Sequence, residues 1–190
     1  MARTEIRVGG LGGQGVILCG HIIGKAAAIY EGKHATLIQA FGPEARGSAC
    51  SAQVTVSDEP IGYPYVKQPD VLVLMSQDAY SQFIPQLKPN GLLLFENELV
   101  KVDERLPAGA RSLGIPATRL AEELGRRLVL NIVMAGFFAG VTGLVSTGSV
   151  ERAVRSSVPK GTEDLNLRAL EKGCQFGREL AEKARREGSA

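Results

Sequence analysis

The sequence predicts a three-layer α/β fold, in which helices cover both faces of a mostly parallel, mixed sheet with at least one antiparallel strand. Short apolar segments alternate with amphipathic segments along the 190 residues, as in βαβ units. Residues 71–75 are continuously apolar, which is typical of a central parallel strand. Residues 50–57 alternate strictly between apolar and polar side chains, which is typical of a half-exposed antiparallel strand. We therefore expect a Rossmann-like arrangement in a single domain spanning residues 1–190.

The first half of the chain divides at its glycine and proline clusters. We expect strands at residues 5–9, 34–40, 50–57, 71–75 and 92–95, with helices at 15–31 and 78–87. A Lys-Pro-Asn-Gly turn at 88–91 ends the second helix. The remaining strand is expected at 110–113. The helices of the second half are expected at 119–127, 128–150, 150–157 and 163–186. Ser149 is the predicted N-cap of the helix at 150–157.

The segment 128–150 allows two interpretations. It contains no charged residue and exceeds the roughly 20 apolar positions that span a bilayer. Gly136 and Gly140 form a G-x-x-x-G pair, which permits close approach of another helix. Polar residues interrupt the segment, however, and favour a buried helix of a globular domain that also serves as core or interface.

Composition limits the function classes. The chain carries 22 basic and 20 acidic residues, for a net charge of +2, and the two signs are interspersed. This balance argues against nucleic-acid binding, which concentrates Lys and Arg on one face. Cys19, Cys50 and Cys174 are too far apart in sequence to predict a zinc or iron–sulfur site, and we expect buried thiols in a cytoplasmic protein. We expect core or surface roles for His21 and His34 and no metal site.

A glycine cluster follows the first strand and is the leading candidate site. Its residues are Gly10, Gly12, Gly13, Gln14 and Gly15. The glycines satisfy G-x-G-x-x-G before a helix, a pattern that can place an anion at the helix N-terminus. A dinucleotide site also needs an acidic residue at the end of the second strand, and this strand ends without one. Tight packing or the close approach of another protein is the alternative role.

A second candidate is the loop that contains Glu44, Arg46 and Gly47. Arg46 could clamp a carboxylate or a phosphate. The alternative is a solvated ion pair with Glu44, or a salt bridge between subunits. The sequence contains neither a Ser-His-Asp signature nor a P-loop, so we expect no catalytic residue and no complete active site on this chain.

Several motifs together resemble a known family. They lie at residues 10–16, 42–47, 57–61, 69–73, 131–134 and 158–166. In this order and spacing they closely resemble the gamma subunit of 2-oxoacid:ferredoxin oxidoreductases, and the loop 42–47 is most similar to subunits of the 2-oxoglutarate enzyme. Ser48 is a departure, because the family usually has a second glycine there.

The resemblance implies a subunit of an enzyme that oxidatively decarboxylates a 2-oxoacid to an acyl-coenzyme A and passes electrons to ferredoxin. Such enzymes use thiamine diphosphate, Mg²⁺ and iron–sulfur clusters, with coenzyme A as cosubstrate. This chain has neither the Gly-Asp-Gly motif for thiamine diphosphate nor a cysteine ladder. The resemblance thus implies partner alpha and beta subunits, in some complexes with a ferredoxin-like delta subunit, and no cofactor bound by this chain alone.

Within the resemblance, the glycine cluster and the loop of Glu44, Arg46 and Gly47 would contact coenzyme A or a partner subunit. Pyruvate, branched-chain or indolepyruvate enzymes are the alternative complexes. A free-standing dinucleotide-binding regulator or reductase is the alternative of another class, and it would bind a nicotinamide cofactor by itself.

Overall fold

The computed structural model describes residues 3–42 and 49–187. Its centre is a six-stranded sheet with the spatial order β2-β3-β1-β4-β5-β6. The strands are Thr4–Leu11 (β1), His34–Phe41 (β2), Ala49–Ser57 (β3), Val71–Leu74 (β4), Leu92–Glu96 (β5) and Arg111–Ile115 (β6). β3 is antiparallel to both of its neighbours, whereas β1, β4, β5 and β6 are parallel. The predicted mixed, mostly parallel α/β fold is confirmed.

Helices cover both faces of the sheet, but unequally. They are Val16–Lys25 (α1), Gln77–Phe83 (α2), Ala117–Glu123 (α3), Leu130–Thr142 (α4), Thr147–Arg155 (α5) and Glu163–Glu187 (α6). A π-helical turn at Ala26–Tyr30 extends α1, and 3-10 turns at Ile84–Gln86 and Arg127–Val129 follow α2 and precede α4. α2 lies over one face, and the other five helices pack over the opposite face in the main core.

The chain reverses its direction of travel across the sheet between β1 and β4. From β1 it passes through α1 to β2 on one side, and from β4 it passes through α2 to β5 on the other. The carboxyl ends of β1 and β4 are neighbours in a parallel pair. This is the topological switch point, the place where open α/β sheets usually bind ligands. The glycine cluster lies at this point.

The uncharged segment forms a core helix rather than a membrane span. Residues Leu130–Ala139 of α4 are all buried. Within the described part of the chain, no helix is both long and apolar enough to cross a membrane. The helix is shorter than predicted because Gly143 ends it in a left-handed conformation with φ of 59°.

The G-x-x-x-G pair of α4 meets a second pair on α6 of the same chain. A Cβ on Gly177 would lie 2.8 Å from the backbone oxygen of Phe137, and Cβ atoms on Gly136, Gly140 or Gly173 would come still closer to the facing backbone. The two helices therefore pack backbone against backbone. The small residues form an intramolecular contact, so the interface anticipated at this segment lies inside the chain.

Two local predictions were wrong. β3 is not half-exposed, because a second layer covers its polar face: Gln53 accepts a 2.8 Å hydrogen bond from the backbone N–H of Val66, and Arg7 donates to the Val66 oxygen at 2.5 Å. The cap of α5 is Ser146, whose hydroxyl accepts from the backbone N–H of Ser149 at 3.2 Å. Capping signals at both serines are similar, and the helix simply begins three residues earlier than the apolar pattern indicates.

Candidate functional site

The β1–α1 loop forms the floor of the switch-point crevice. β1 ends at Leu11, Gly12 and Gly13 form a turn, and α1 begins at Val16. Gly15 precedes the helix in a left-handed conformation, with φ of 73°, and provides no capping side chain. The loop therefore presents bare backbone at the edge of the sheet, as the sequence predicts.

The Gln14 side chain occupies the crevice. Its Oε1 accepts a hydrogen bond from the Leu11 N–H at 2.7 Å, and its Nε2 donates to the Met75 oxygen at 2.8 Å. Met75 follows β4 directly and donates its own N–H to the oxygen of Gly9 at 2.9 Å. One amide side chain thus joins the carboxyl ends of β1 and β4. Polar groups that a bound ligand would satisfy in a nucleotide-binding protein are satisfied here by the protein itself.

Two of the glycines are required for packing. A Cβ on Gly10 would lie 2.6 Å from the Gln14 Oε1 and 2.9 Å from Val16. A Cβ on Gly15 would lie 2.6 Å from the side-chain carbon Cγ of Asn131, whose Nδ2 donates to the Gly15 oxygen at 3.2 Å. Asn131 is the first-turn residue of α4 and is buried. No local pattern predicts this bond, because 116 residues separate its partners.

Gly13 differs from those two glycines because it faces open space. It is exposed, its φ is 97°, and a Cβ there would meet nothing within 4 Å. No neighbour within the described structure requires a glycine at this position for packing. A positive φ alone favours glycine, and the bare surface remains accessible to another molecule.

The geometry opposes a dinucleotide site. In a dinucleotide-binding unit the second strand lies beside the first and places its acidic residue near the ribose. Here the antiparallel strand β3 separates β2 from β1. Neighbouring strands are about 4.8 Å apart, so the end of β2 lies roughly 10 Å from β1. Both the missing carboxylate and the strand order are thus contrary to nicotinamide binding.

The second predicted site, with Glu44, Arg46 and Gly47, lies outside the described residues. The two ends of that loop are described, however. The Gly42 N–H donates to the Ala49 oxygen at 2.8 Å, and Ala49 pairs with Leu11 at the end of β1. The anchors of the second candidate site therefore adjoin the glycine cluster.

Phe41, the last residue of β2, was not among the residues predicted for the site. Its side chain is 69% exposed although it closes a strand and precedes Gly42. It borders a cavity of 130 Å³ that also contacts Cys50, Gln82 and Phe83. Aromatic side chains, Phe among them, are enriched in protein contacts. Its position at the end of an apolar strand was the available signal.

The cysteines are not placed for nucleophilic or metal chemistry. All three are buried, and burial raises the pKa of Cys19 to about 12 and that of Cys174 to about 11. Such thiols stay protonated at neutral pH. Across residues 3–42 and 49–187, no three His, Cys, Asp or Glu side chains group as metal ligands. His21 and His34 are both exposed.

Glu96 is a buried ionisable group at the carboxyl end of β5. It is fully buried, and its Oε1 accepts from the Thr118 N–H at 3.3 Å. Its Oε2 and the Thr118 hydroxyl are buried without a hydrogen-bond partner. Burial raises the pKa of Glu96, against the opposing effect of the Thr118 amide.

Comparisons with known proteins agree with this architecture. A family model described as pyruvate ferredoxin/flavodoxin oxidoreductase matches residues 5–176. The 2-oxoglutarate synthase subunit KorC of Methanocaldococcus jannaschii is 46% identical over 94% of this chain and 96% of its own length.

Two solved structures share the fold. A keto/oxoacid ferredoxin oxidoreductase gamma subunit from Geobacter sulfurreducens matches with a TM-score of 0.85 and 36% identity, over 95% of this chain and 99% of that one. A 2-oxoglutarate:ferredoxin oxidoreductase chain from Magnetococcus marinus matches with a TM-score of 0.85 and 25% identity, over 95% of this chain and 32% of that one. The chain therefore belongs to the pyruvate ferredoxin/flavodoxin oxidoreductase family.

Proposed function

We propose that this chain is the gamma subunit of a multisubunit 2-oxoglutarate:ferredoxin oxidoreductase. The observation that carries the proposal is the 46% identity to a 2-oxoglutarate synthase subunit over nearly the full length of both chains. Residues 1–190 act in it as one gamma-type domain. The crevice supports an accessory role, because the Gln14 side chain already forms hydrogen bonds with the polar groups at the switch point.

In this proposal, the alpha and beta partners, with a ferredoxin-like delta subunit where the complex has one, hold thiamine diphosphate, Mg²⁺ and the iron–sulfur clusters. The complex oxidises a 2-oxoacid in the cytoplasm, transfers the acyl group to coenzyme A and reduces ferredoxin. The buried thiols of this chain support the assignment of the clusters to other subunits, because cluster ligands need thiolates grouped around the iron.

The proposed contact surface of this subunit joins Gly12, Gly13 and the loop with Glu44, Arg46 and Gly47. Two observations support it: Gly13 faces open space, and the ends of the loop adjoin β1. Its occupant is coenzyme A or a partner subunit. The Magnetococcus marinus enzyme was solved with 2-oxoglutarate, coenzyme A and succinyl-CoA bound, which makes the first occupant testable by direct binding.

Reconstitution tests the subunit assignment. The alpha and beta partners are co-expressed with and without this chain, and coenzyme A-dependent reduction of ferredoxin is measured with 2-oxoglutarate, pyruvate, branched-chain oxoacids and indolepyruvate. We expect full activity only with the chain present and the highest kcat/KM for 2-oxoglutarate. Equal activity without the chain would refute the assignment, and a preference for another oxoacid would refute the substrate.

Arg46→Ala tests the contact surface. We expect a raised KM for coenzyme A or a lower yield of the assembled complex, with an unchanged Tm of the isolated chain. Arg178→Ala on the exposed side of α6 is the matched control and should leave all three quantities unchanged. If both variants behave as wild type, Arg46 forms only a solvated ion pair.

The dinucleotide-binding alternative is not favoured by any observation on the site. The strand order of the sheet places β3 where the second strand of such a unit would lie. Titration of the isolated chain with NADH, followed by fluorescence, should give no saturable signal. Micromolar binding would reinstate that alternative.

A further inference from the structure

The two edge strands of the sheet differ in how they are protected. β6 is five residues long and begins with a charged residue, Arg111. β2 is eight residues long, and none of its residues is Asp, Glu, Lys or Arg. Proteins usually shorten, charge or cover an edge strand, because its free backbone groups pair readily with another strand. β2 lacks the first two kinds of protection.

The register of β2 determines which of its backbone groups point away from β3. Hydrogen-bonded and non-hydrogen-bonded pairs alternate along an antiparallel ladder. The 2.8 Å bond from the Gly42 N–H to the Ala49 oxygen marks that pair as hydrogen-bonded. Hydrogen-bonded pairs therefore recur at every second residue of this regular register, and the even-numbered residues of β2 form backbone hydrogen bonds with β3. The N–H and C=O groups that point to the open edge belong to Ala35, Leu37, Gln39 and Phe41.

An apolar groove runs beside this edge, between β2 and α1. It has a volume of 270 Å³ and is lined mainly by the apolar residues Ala28, Ile29, Ala35 and Leu37, with His21 and Lys25 beside them. Ile29 at its rim is 67% exposed, and Phe41 at the far end of the strand is 69% exposed. The alternation of side chains along β2 places the Phe41 side chain on the same face as Ala35, while this end of the strand also borders the cavity beside α2. A dry cavity of about 150 Å³ accepts a benzene ring, so the groove has room for a phenyl group.

We propose that β2 pairs antiparallel with β2 of a second copy of this chain, which joins two sheets across a two-fold axis. One register pairs every outward residue of both strands: Ala35 of one copy faces Phe41 of the other, and Leu37 faces Gln39. The axis then passes between the two copies of Ile38. Each Phe41 enters the groove beside Ala35 of the other copy.

A second copy fits this edge for two reasons. The register that satisfies all outward backbone groups is also the register that brings the exposed ring to the apolar groove. A two-fold contact places identical residues near each other, and a strand without formal charges can do this without like-charge repulsion. Strand β3 separates the pairing edge from the β1–α1 loop, and only Phe41 adjoins the loop of the proposed contact surface. The pairing needs neither coenzyme A nor another subunit, so it does not depend on the proposed function.

Disulfide trapping tests the register. Ile38→Cys places two thiols opposite each other at a non-hydrogen-bonded pair, where Cα atoms lie about 4.5 Å apart. Ala40→Cys is the matched control on the same face, and its thiol would face Thr36 of the other copy. We expect mild oxidation to convert Ile38→Cys to a covalent dimer and leave Ala40→Cys and wild type monomeric on denaturing gels. Equal linking of both variants, or none, would overturn the proposed register.

Sedimentation of the purified full chain tests the pairing itself. We expect a species of twice 20.2 kDa for wild type. Gln39→Pro removes an outward N–H from each copy and leaves the hydrogen bonds to β3 intact. Because the dimer then lacks two backbone hydrogen bonds, self-association should weaken roughly 30-fold. Gln39→Ala should remain a dimer, and circular dichroism confirms that both variants are folded. A monomeric wild type at tens of micromolar, or a dimer unaffected by Gln39→Pro, would refute the proposal, with β2 then covered by another subunit or left free.

Discussion

The α4–α6 contact and the β1–α1 loop are both rich in glycine, but the surroundings of their glycines differ. Each glycine of the helix pair faces the backbone of the opposite helix, so a side chain has no room. In the glycine cluster, Gly10 and Gly15 face packed side chains, whereas Gly13 faces open space. A glycine cluster therefore indicates a ligand only where the neighbouring atoms leave the backbone accessible.

Gly173→Ala should have the largest effect, because its Cβ would collide with the oxygen of Val133 and neither helix can move without disturbing the core. We expect a loss of about 4 kcal/mol in the free energy of unfolding, measured by urea denaturation. Gly148→Ala on α5 is the control, because a Cβ there meets nothing within 4 Å. A loss below about 1 kcal/mol at Gly173 would show that the helices separate easily and would remove the contrast with the loop.

Gln14→Ala should have the second-largest effect. It leaves the Leu11 N–H and the Met75 oxygen without their side-chain partner, and we expect a loss of about 2 kcal/mol in the free energy of unfolding. Gln14→Glu keeps the acceptor but loses the donor to Met75, so it should also destabilise the chain. Gln82→Ala, at an exposed position of α2, should be neutral. An unchanged free energy of unfolding for Gln14→Ala would mean that water or a ligand can replace the two hydrogen bonds of the Gln14 side chain.

Gly13→Ala should cost about 1 kcal/mol, because only the positive φ opposes a side chain there. Gly161→Ala is a matched control with φ of 86° and equally open surroundings. We expect similar thermal destabilisation of the isolated chains, but a lower yield of assembled complex or a weaker response to coenzyme A only for Gly13→Ala. Identical effects of the two variants in the complex would exclude Gly13 from the contact surface.

Glu96→Gln should have the smallest effect and a distinct pH dependence. The pKa of Glu96 is raised in the folded protein, so its favourable contribution is complete below the unfolded pKa and is lost as pH rises through the folded pKa. We expect the variant to be more stable than wild type at neutral pH and to lose this advantage in acid. Thermal denaturation from pH 4 to 8 measures the effect, with the exposed Glu182→Gln as control. A constant difference across that range would contradict the raised pKa.

Strand order could be inferred only in part from local patterns. The strict alternation at residues 50–57 correctly predicted an antiparallel strand, because pairing direction and pattern are both local properties of the pleat. The same alternation wrongly predicted a solvated face, because Arg7 and Val66 close that face from distant parts of the sequence. The alternation records which side chains are polar, whereas burial depends on what packs above them.

Local patterns along the chain were sufficient to predict the α/β class, the parallel core, the resemblance to oxidoreductase gamma subunits and the location of the glycine loop at the end of β1. These follow from periodicity, turn residues and the order of motifs along the chain. Three contacts became evident only in the folded chain: Gln14 closes the switch-point crevice, Asn131 meets Gly15, and two glycine pairs join α4 to α6. Each of these contacts joins residues far apart in sequence, and neither partner carries a local signal for the other.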